Sequence, residues 1–288
     1  MKWLLLLLIA LPMQAAAQTS HAVPPQCMPN AQGVIDYQAC ADVTTPGSDV
    51  RGWALINLGT QAILRQDYAA GVRFYDEATP PGKHLYSDAA FHALRADAYF
   101  HVGRKSEAFV DAHMAAAILL DQPDVPADIR ARADRYGWDP ELAYGSILVI
   151  LKEARDPLYE PARAAFQALP EKDWQSIASR AAVFEQLGEL DSAVSFSTRA
   201  LAVQPENPAV LNNHCYILVR ANRVPEALPY CKSAVERAPG IGGVQHSYAS
   251  ALAAAGRCGE SREALMEARR LDPVSALYKQ DIACVARR

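Results

Sequence analysis

A chain of 288 residues with 51% hydrophobic content and only 8% aromatics can bury a large apolar surface, but through small side chains rather than one aromatic-rich centre. Its formal net charge of -4 argues against a partner held by nucleic-acid phosphates. Six cysteines form an even set that suits disulfides in an oxidising compartment, and the absence of Cys-x-x-Cys argues against redox catalysis.

Lys2 precedes an apolar run from Trp3 to Leu11, Pro12 breaks it, and Ala15, Ala16 and Ala17 offer a small-residue cleavage site before Gln18. The run is shorter than the roughly 20 apolar residues that span a bilayer comfortably. Residues 1–17 therefore read as an export signal, and the mature chain is expected to have no transmembrane segment. An uncleaved N-terminal anchor is the other reading of these residues. No cysteine stands at the cleavage site, so a lipid-anchored form is not expected. Export places the mature chain in the periplasm or outside the cell.

Residues 18–50 are rich in Pro, Gly, Gln, Ser and Thr and read as an irregular segment, with a short helix around Val34 to Ala41. Residues 51–122 hold two helix pairs. In the first, Trp53, Leu55, Leu58, Gly59 and Ala62 fit one helix, and Tyr68, Gly71, Phe74, Tyr75 and Ala78 fit the next, with the glycines allowing close contact. Pro80, Pro81 and Gly82 end it. The second pair starts near Ala89 and carries Ala96, Tyr99, Gly103, Ala108 and Ala115.

Residues 123–173 break the rhythm with Pro123, Pro126, Pro140, Pro157 and Pro161. Helical spacing persists over Glu141 to Arg155 and Pro161 to Leu169, which predicts one degenerate helical pair with an insertion. The run Ile147 to Ile150 also fits a buried strand.

From Trp174 to Ser275 one pattern is written three times. Gly188, Asn222 and Gly256 recur at the same interval as Ala200, Ala234 and Ala268, and as Pro205, Pro239 and Pro273. The interval is about 34 residues. Gly and Asn suit the left-handed backbone with which a helix ends and reverses, alanine lets two helices approach, and proline stops the second helix. Ser275 to Val285 reads as a last helix that caps the array, with Arg287 and Arg288 at its negative end.

This stretch resembles the tetratricopeptide-repeat family. The resemblance implies an all-α, right-handed superhelical solenoid of antiparallel helix pairs, here with a C-terminal capping helix. Anchored on the closing prolines, the units are 174–207, 208–241 and 242–275; Ser261 replaces the second-helix alanine in the last. In that register Cys215 is eighth and Cys231 twenty-fourth in one unit, so antiparallel helices place them opposite each other. Cys258 opens a second helix and Cys284 falls late in the helix after it, which stacking brings together. Cys27 and Cys40 remain.

Family proteins line a concave wall from the first helix of each pair. The resemblance puts Asn212, Asn213, Tyr216, Val219 and Arg220 on that wall, with His246, Ser247 and Ser250 from the next unit. Two amides, a phenol and a guanidinium can bond a peptide backbone or a carboxylate. Gln175, Ser179, Glu185 and Gln186, and from the first pairs Asn57, Thr60, Asp97 and His101, complete it. The family's lysine clamp for a terminal carboxylate is absent, because those places include Ala209, Asn212, Gly243 and His246.

No Gly-x-Ser-x-Gly, phosphate loop, His-Glu-x-x-His or paired-cysteine metal spacing occurs. His92, His101 and His113 lack a shared helix face and read as solvated or core-edge residues. Glu185, Glu189 and Asp191 read as a polar face and turn. The chain is thus expected to be no enzyme, to need no cofactor or metal, and to bind a protein or peptide segment. A structural part of a cell-envelope assembly, joined through the convex side or the repeat ends, is the alternative. An enzyme with its site in 123–173 is a third reading.

Overall fold

The computed structural model describes residues 23–79, 89–123 and 140–285, and their regular elements are helical. The signal expected at 1–17, the stop at Pro80–Gly82, most of the expected insertion before Pro140, and Arg287 with Arg288 lie outside them. A 3-10 turn, Pro25–Cys27, precedes α1 (Tyr37–Val43). Then come α2 (Asp49–Leu64) with α3 (Tyr68–Ala78), α4 (Ala89–His101) with α5 (Lys105–Leu119), and α6 (Pro140–Ala154) with α7 (Tyr159–Ala168). Three more pairs follow: α8 (Trp174–Gln186) with α9 (Leu190–Val203), α10 (Pro208–Arg220) with α11 (Val224–Arg237), and α12 (Gly242–Ala254) with α13 (Cys258–Leu271). The described residues form two compact units, divided between Leu169 and Pro170.

Six pairs share one turn. After the first helix a residue takes a positive φ: Gln66 at 64°, Gly103 at 82°, Arg155 at 55°, Gly188 at 74°, Asn222 at 57° and Gly256 at 79°. The next amide then donates to the carbonyl five residues back. The bonds are Asp67 to Ala62, Arg104 to Tyr99, Asp156 to Leu151, Glu189 to Phe184, Arg223 to Leu218 and Arg257 to Leu252. Each satisfies a carbonyl that the last helical turn would leave without a partner. Arg155 makes the same turn, but α7 starts only at Tyr159, two residues later than the second helix of the other pairs. Ile147, Leu148 and Ile150 are buried inside α6, so the run is helix and not strand.

Reversal brings small side chains face to face. Ala193, Ala200, Ala227, Ala234 and Ala268 are at most 1% exposed. Ala234 clusters with Leu211 of its own first helix and Val244 of the next, so one methyl group serves two contacts. Ser261 is 3% exposed and donates its hydroxyl to the Ala249 carbonyl at 2.8 Å, which satisfies the polar atom within the same tight space. In the first pair the spacer is glycine. A Cβ on Gly59 would lie 2.8 Å from Tyr75 Cε1.

Beyond α13 the expected capping helix is absent: residues 272–285 make turns without a helix. The Arg269 guanidinium supplies the reason. It donates to the carbonyls of Tyr278 at 2.6 Å, Lys279 at 3.4 Å and Gln280 at 3.3 Å, and pairs with the Asp281 carboxylate at 2.7 Å. A helix over this segment would need those carbonyls for its own amides. The irregular strap still covers the end of the array. Ile282 packs on Ala249, Leu252, Ala264 and Leu265.

All six cysteines are bonded. Cys27–Cys40 ties the 3-10 turn to α1, Cys215–Cys231 joins α10 to α11, and Cys258–Cys284 fastens the strap to the start of α13. A polar link crosses from α9 to α10, where the Ser197 hydroxyl and His214 Nδ1 lie 2.9 Å apart with both side chains buried. Burial, with a smaller contribution from the Arg223 charge, pushes the His214 pKa down to about 4.

Two outcomes follow. Nothing lies within 4 Å of a Cβ at Gly188, so Gly188→Ala should lose about 1–2 kcal/mol from backbone conformation alone, and Gly188→Asn clearly less, by urea unfolding. His214 protonates more readily in the unfolded chain, whose value is near 6.5, than in the folded one. Its effect on stability is therefore absent above that value and becomes a growing loss as pH falls toward 4. The difference in unfolding midpoint between the wild type and His214→Gln should change across that window and be flat above pH 7.

Candidate functional site

Within Pro170–Arg288 the first helices α8, α10 and α12 lie side by side, and each has its second helix packed behind it. A run of side chains one turn apart on such helices forms a continuous wall. Asp173 caps α8 through a bond from Ser176 N to its carboxylate at 2.8 Å, and Asn207 caps α10 by accepting from Ala209 N at 2.9 Å. These caps set where each helix starts and hence the level of its side chains.

Asn212 is 4% exposed, and its Oδ1 has no hydrogen-bond partner. His246, at the same place in the next unit, is 8% exposed, and its Nδ1 has none either. Desolvating a polar atom without a partner costs roughly 1–3 kcal/mol, so two such atoms at equivalent positions are an expense the packing does not return. Burial also pushes the His246 pKa down, which favours the neutral ring. Asn213 and Tyr216 beside them are half-buried.

Arg220 is committed within the protein. Its guanidinium pairs with Glu185 of α8 and donates to the Tyr216 hydroxyl at 3.3 Å. The Tyr216 bond leads and the Glu185 carboxylate adds in raising the Arg220 pKa above its ordinary value. Ser247 and Ser250 donate to Gly243 and His246 carbonyls, each at 3.0 Å, so these hydroxyls serve their own helix. In the first unit Asn57 donates to the Trp53 carbonyl at 2.9 Å, Thr60 to that of Ile56 at 3.0 Å, and Asp97 pairs with His101 at 3.2 Å. The wall positions there are thus satisfied locally.

The sequence reading overlooked the residues that meet His246. Gly242 and Gly243 open α12, and the Tyr278 ring of the strap lies over them and stacks on His246, with centroids 5.3 Å apart at 29°. A glycine pair at a helix start was the available signal. His92 is also not at the core edge: it is buried, with Nδ1 2.8 Å from Asp111, whose carboxylate takes two bonds from Arg95 at 2.6 and 2.8 Å. That network ties α4 to α5. A cleft of about 460 Å³ lies between α9 and α11 over His214, with Arg223 and Glu226 on its lining. Arg223 and Glu226 neutralise each other through bonds of 2.8 and 2.6 Å. Among the described residues no cluster of three or more metal-ligating side chains occurs, and no helix is long and apolar enough to cross a membrane.

No protein-family model matches the sequence, and no curated protein matches it. Solved structures do. A tetratricopeptide repeat protein from Parabacteroides merdae superposes with a TM-score of 0.57 at 12% identity, covering 84% of this chain and 87% of that one. YrrB, described as a TPR protein with an unusual peptide-binding site, gives 0.35 at 15% identity over 78% and 89%. The TPR2AB domain of yeast Sti1, described as a complex with pHSP90, gives 0.34 at 15% over 79% and 93%. The repeated turn, the alanine seam and the likeness to the Parabacteroides structure agree: this chain has the fold of the tetratricopeptide-repeat proteins.

Proposed function

We propose that the chain is an exported scaffold that holds an extended peptide or protein segment along the wall of α8, α10 and α12. The observation that carries this reading is the pair of buried, unpartnered atoms, Asn212 Oδ1 and His246 Nδ1, at equivalent places on neighbouring helices. An extended backbone presents hydrogen-bonding groups at regular intervals and can serve both. The wall is preformed, its helices joined by the repeated turn and by Cys215–Cys231, so docking spends little entropy on ordering the scaffold. Export is supported by the apolar run Trp3–Leu11 before Ala15–Ala17 and by six cysteines that are all bonded, a state that persists in oxidising compartments such as the periplasm.

A second reading has its own observation. Val274, Leu277 and Val285 of the strap are 80%, 41% and 85% exposed, which fits a structural subunit joined at the end of the array.

Affinity capture from the native envelope separates the two. Asn212→Ala with Asn213→Ala should lower the recovered partner about tenfold while the unfolding midpoint stays within a few degrees, since hydrogen bonds of roughly 1 kcal/mol each are removed. Retention by that variant, with loss on Val274→Asp and Leu277→Asp, would overturn the groove in favour of the array end.

A further inference from the structure

The strap that replaces the capping helix reaches onto the wall. Its Tyr278 ring lies on the α12 start, where a Cβ on Gly242 would come 2.9 Å from Cε2 and one on Gly243 would come 3.4 Å from the hydroxyl. No residue with a side chain leaves this space, so the glycines make a floor for a flat ring. His246, one turn further, supplies a wall at 5.3 Å and 29°, a geometry common to aromatic pairs. The backbone carrying the ring is irregular and is gripped through its carbonyls by Arg269. That is how a groove holds an extended peptide: one side chain in a seat, and main-chain oxygens on a guanidinium.

The fit is incomplete. Tyr278 stacks on His246 yet leaves Nδ1 without a partner, and among the described residues the Tyr278 hydroxyl makes no hydrogen bond. The ring is half-buried, whereas the imidazole it covers is 8% exposed. A segment bringing both a ring and a hydrogen-bonding group to Nδ1 would satisfy the site better than the strap does.

We infer that Gly242, Gly243 and His246 form a seat for an aromatic side chain of an extended peptide, occupied in the free protein by Tyr278 as a weak internal competitor. This deepens the groove reading and rests on it for its biological use, though the seat can be tested without any cellular partner. The strap is tethered at both ends, by α13 and by Cys258–Cys284, so its middle can lift while its tip stays in place. The partner is a peptide with a tyrosine, phenylalanine or tryptophan in an extended stretch.

The probe is a fluorescent synthetic peptide with the strap's own sequence, Pro273 to Ala283, titrated by anisotropy. Wild type should bind it weakly, and Tyr278→Ala should bind it at least about tenfold more tightly, because the seat is vacated. Adding His246→Ala should abolish the gain, as should a probe with alanine in place of its tyrosine. A thiol count of zero and unchanged helical circular dichroism would show that Tyr278→Ala is folded. If that variant does not fold, Cys258→Ser with Cys284→Ser frees the strap while keeping Tyr278, and should also bind the probe more tightly than wild type. No gain in a folded variant, or a gain indifferent to His246→Ala, would overturn the seat and leave the strap a simple cover. Loss of the seat would leave capture through Asn212 standing, and failed capture with a probe-binding seat would count against the wall reading alone.

Discussion

The array depends on one hydrogen bond made repeatedly, an amide donated across a left-handed residue to the carbonyl five places back. It closes a helix end that would otherwise leave carbonyls unsatisfied and points the chain back along itself. Without the reversal, the alanines would face solvent and two amphipathic helices would have no partner. With it, Ala193, Ala227 and Ser261 meet the preceding helix at the same level in successive pairs, and the first helices fall side by side. The wall bearing Asn212 and His246 is therefore a product of turn geometry more than of any large core residue.

Stability of this kind is local. Alanine buries little area, so each contact is small and the sum comes from repetition. Polar links fill the remaining places. Ser197 with His214, and Asp111 with His92 and Arg95, each join one helix to another while satisfying groups that burial would otherwise strand. Glu185 and Arg220 form an ion pair between α8 and α10. Among the described residues His92 Nε2, Glu185 Oε1, Asn212 Oδ1 and His246 Nδ1 are buried without a hydrogen bond, and the last two fall at equivalent places in successive units.

Where glycine or asparagine occupied the left-handed position, the fold was legible from residues alone, as at Gly188, Asn222 and Gly256. Gln66 and Arg155 take the same conformation with side chains that carry no such signal, and around α6–α7 the prolines from Pro123 to Pro161 masked the rhythm further. The terminal segment misled for a different reason. Its apolar spacing is helical, but the Arg269 guanidinium, which the spacing does not reveal, takes its carbonyls from 9 to 11 residues upstream. The register placed Asn212, Tyr216, Arg220 and His246 on first helices, where the structure has them, yet the bonding of each group depended on neighbours: Arg220 pairs with Glu185 and Tyr216, and Ser250 bonds its own helix.

In a row of stacked hairpins, melting ordinarily starts at whichever extremity is loosest. Cys258–Cys284 welds one extremity of Pro170–Arg288 into a covalent ring that spans α13 and the strap. The two ends of that ring therefore stay together when its hydrogen bonds open, and a chain cut between Cys258 and Cys284 remains one covalent molecule.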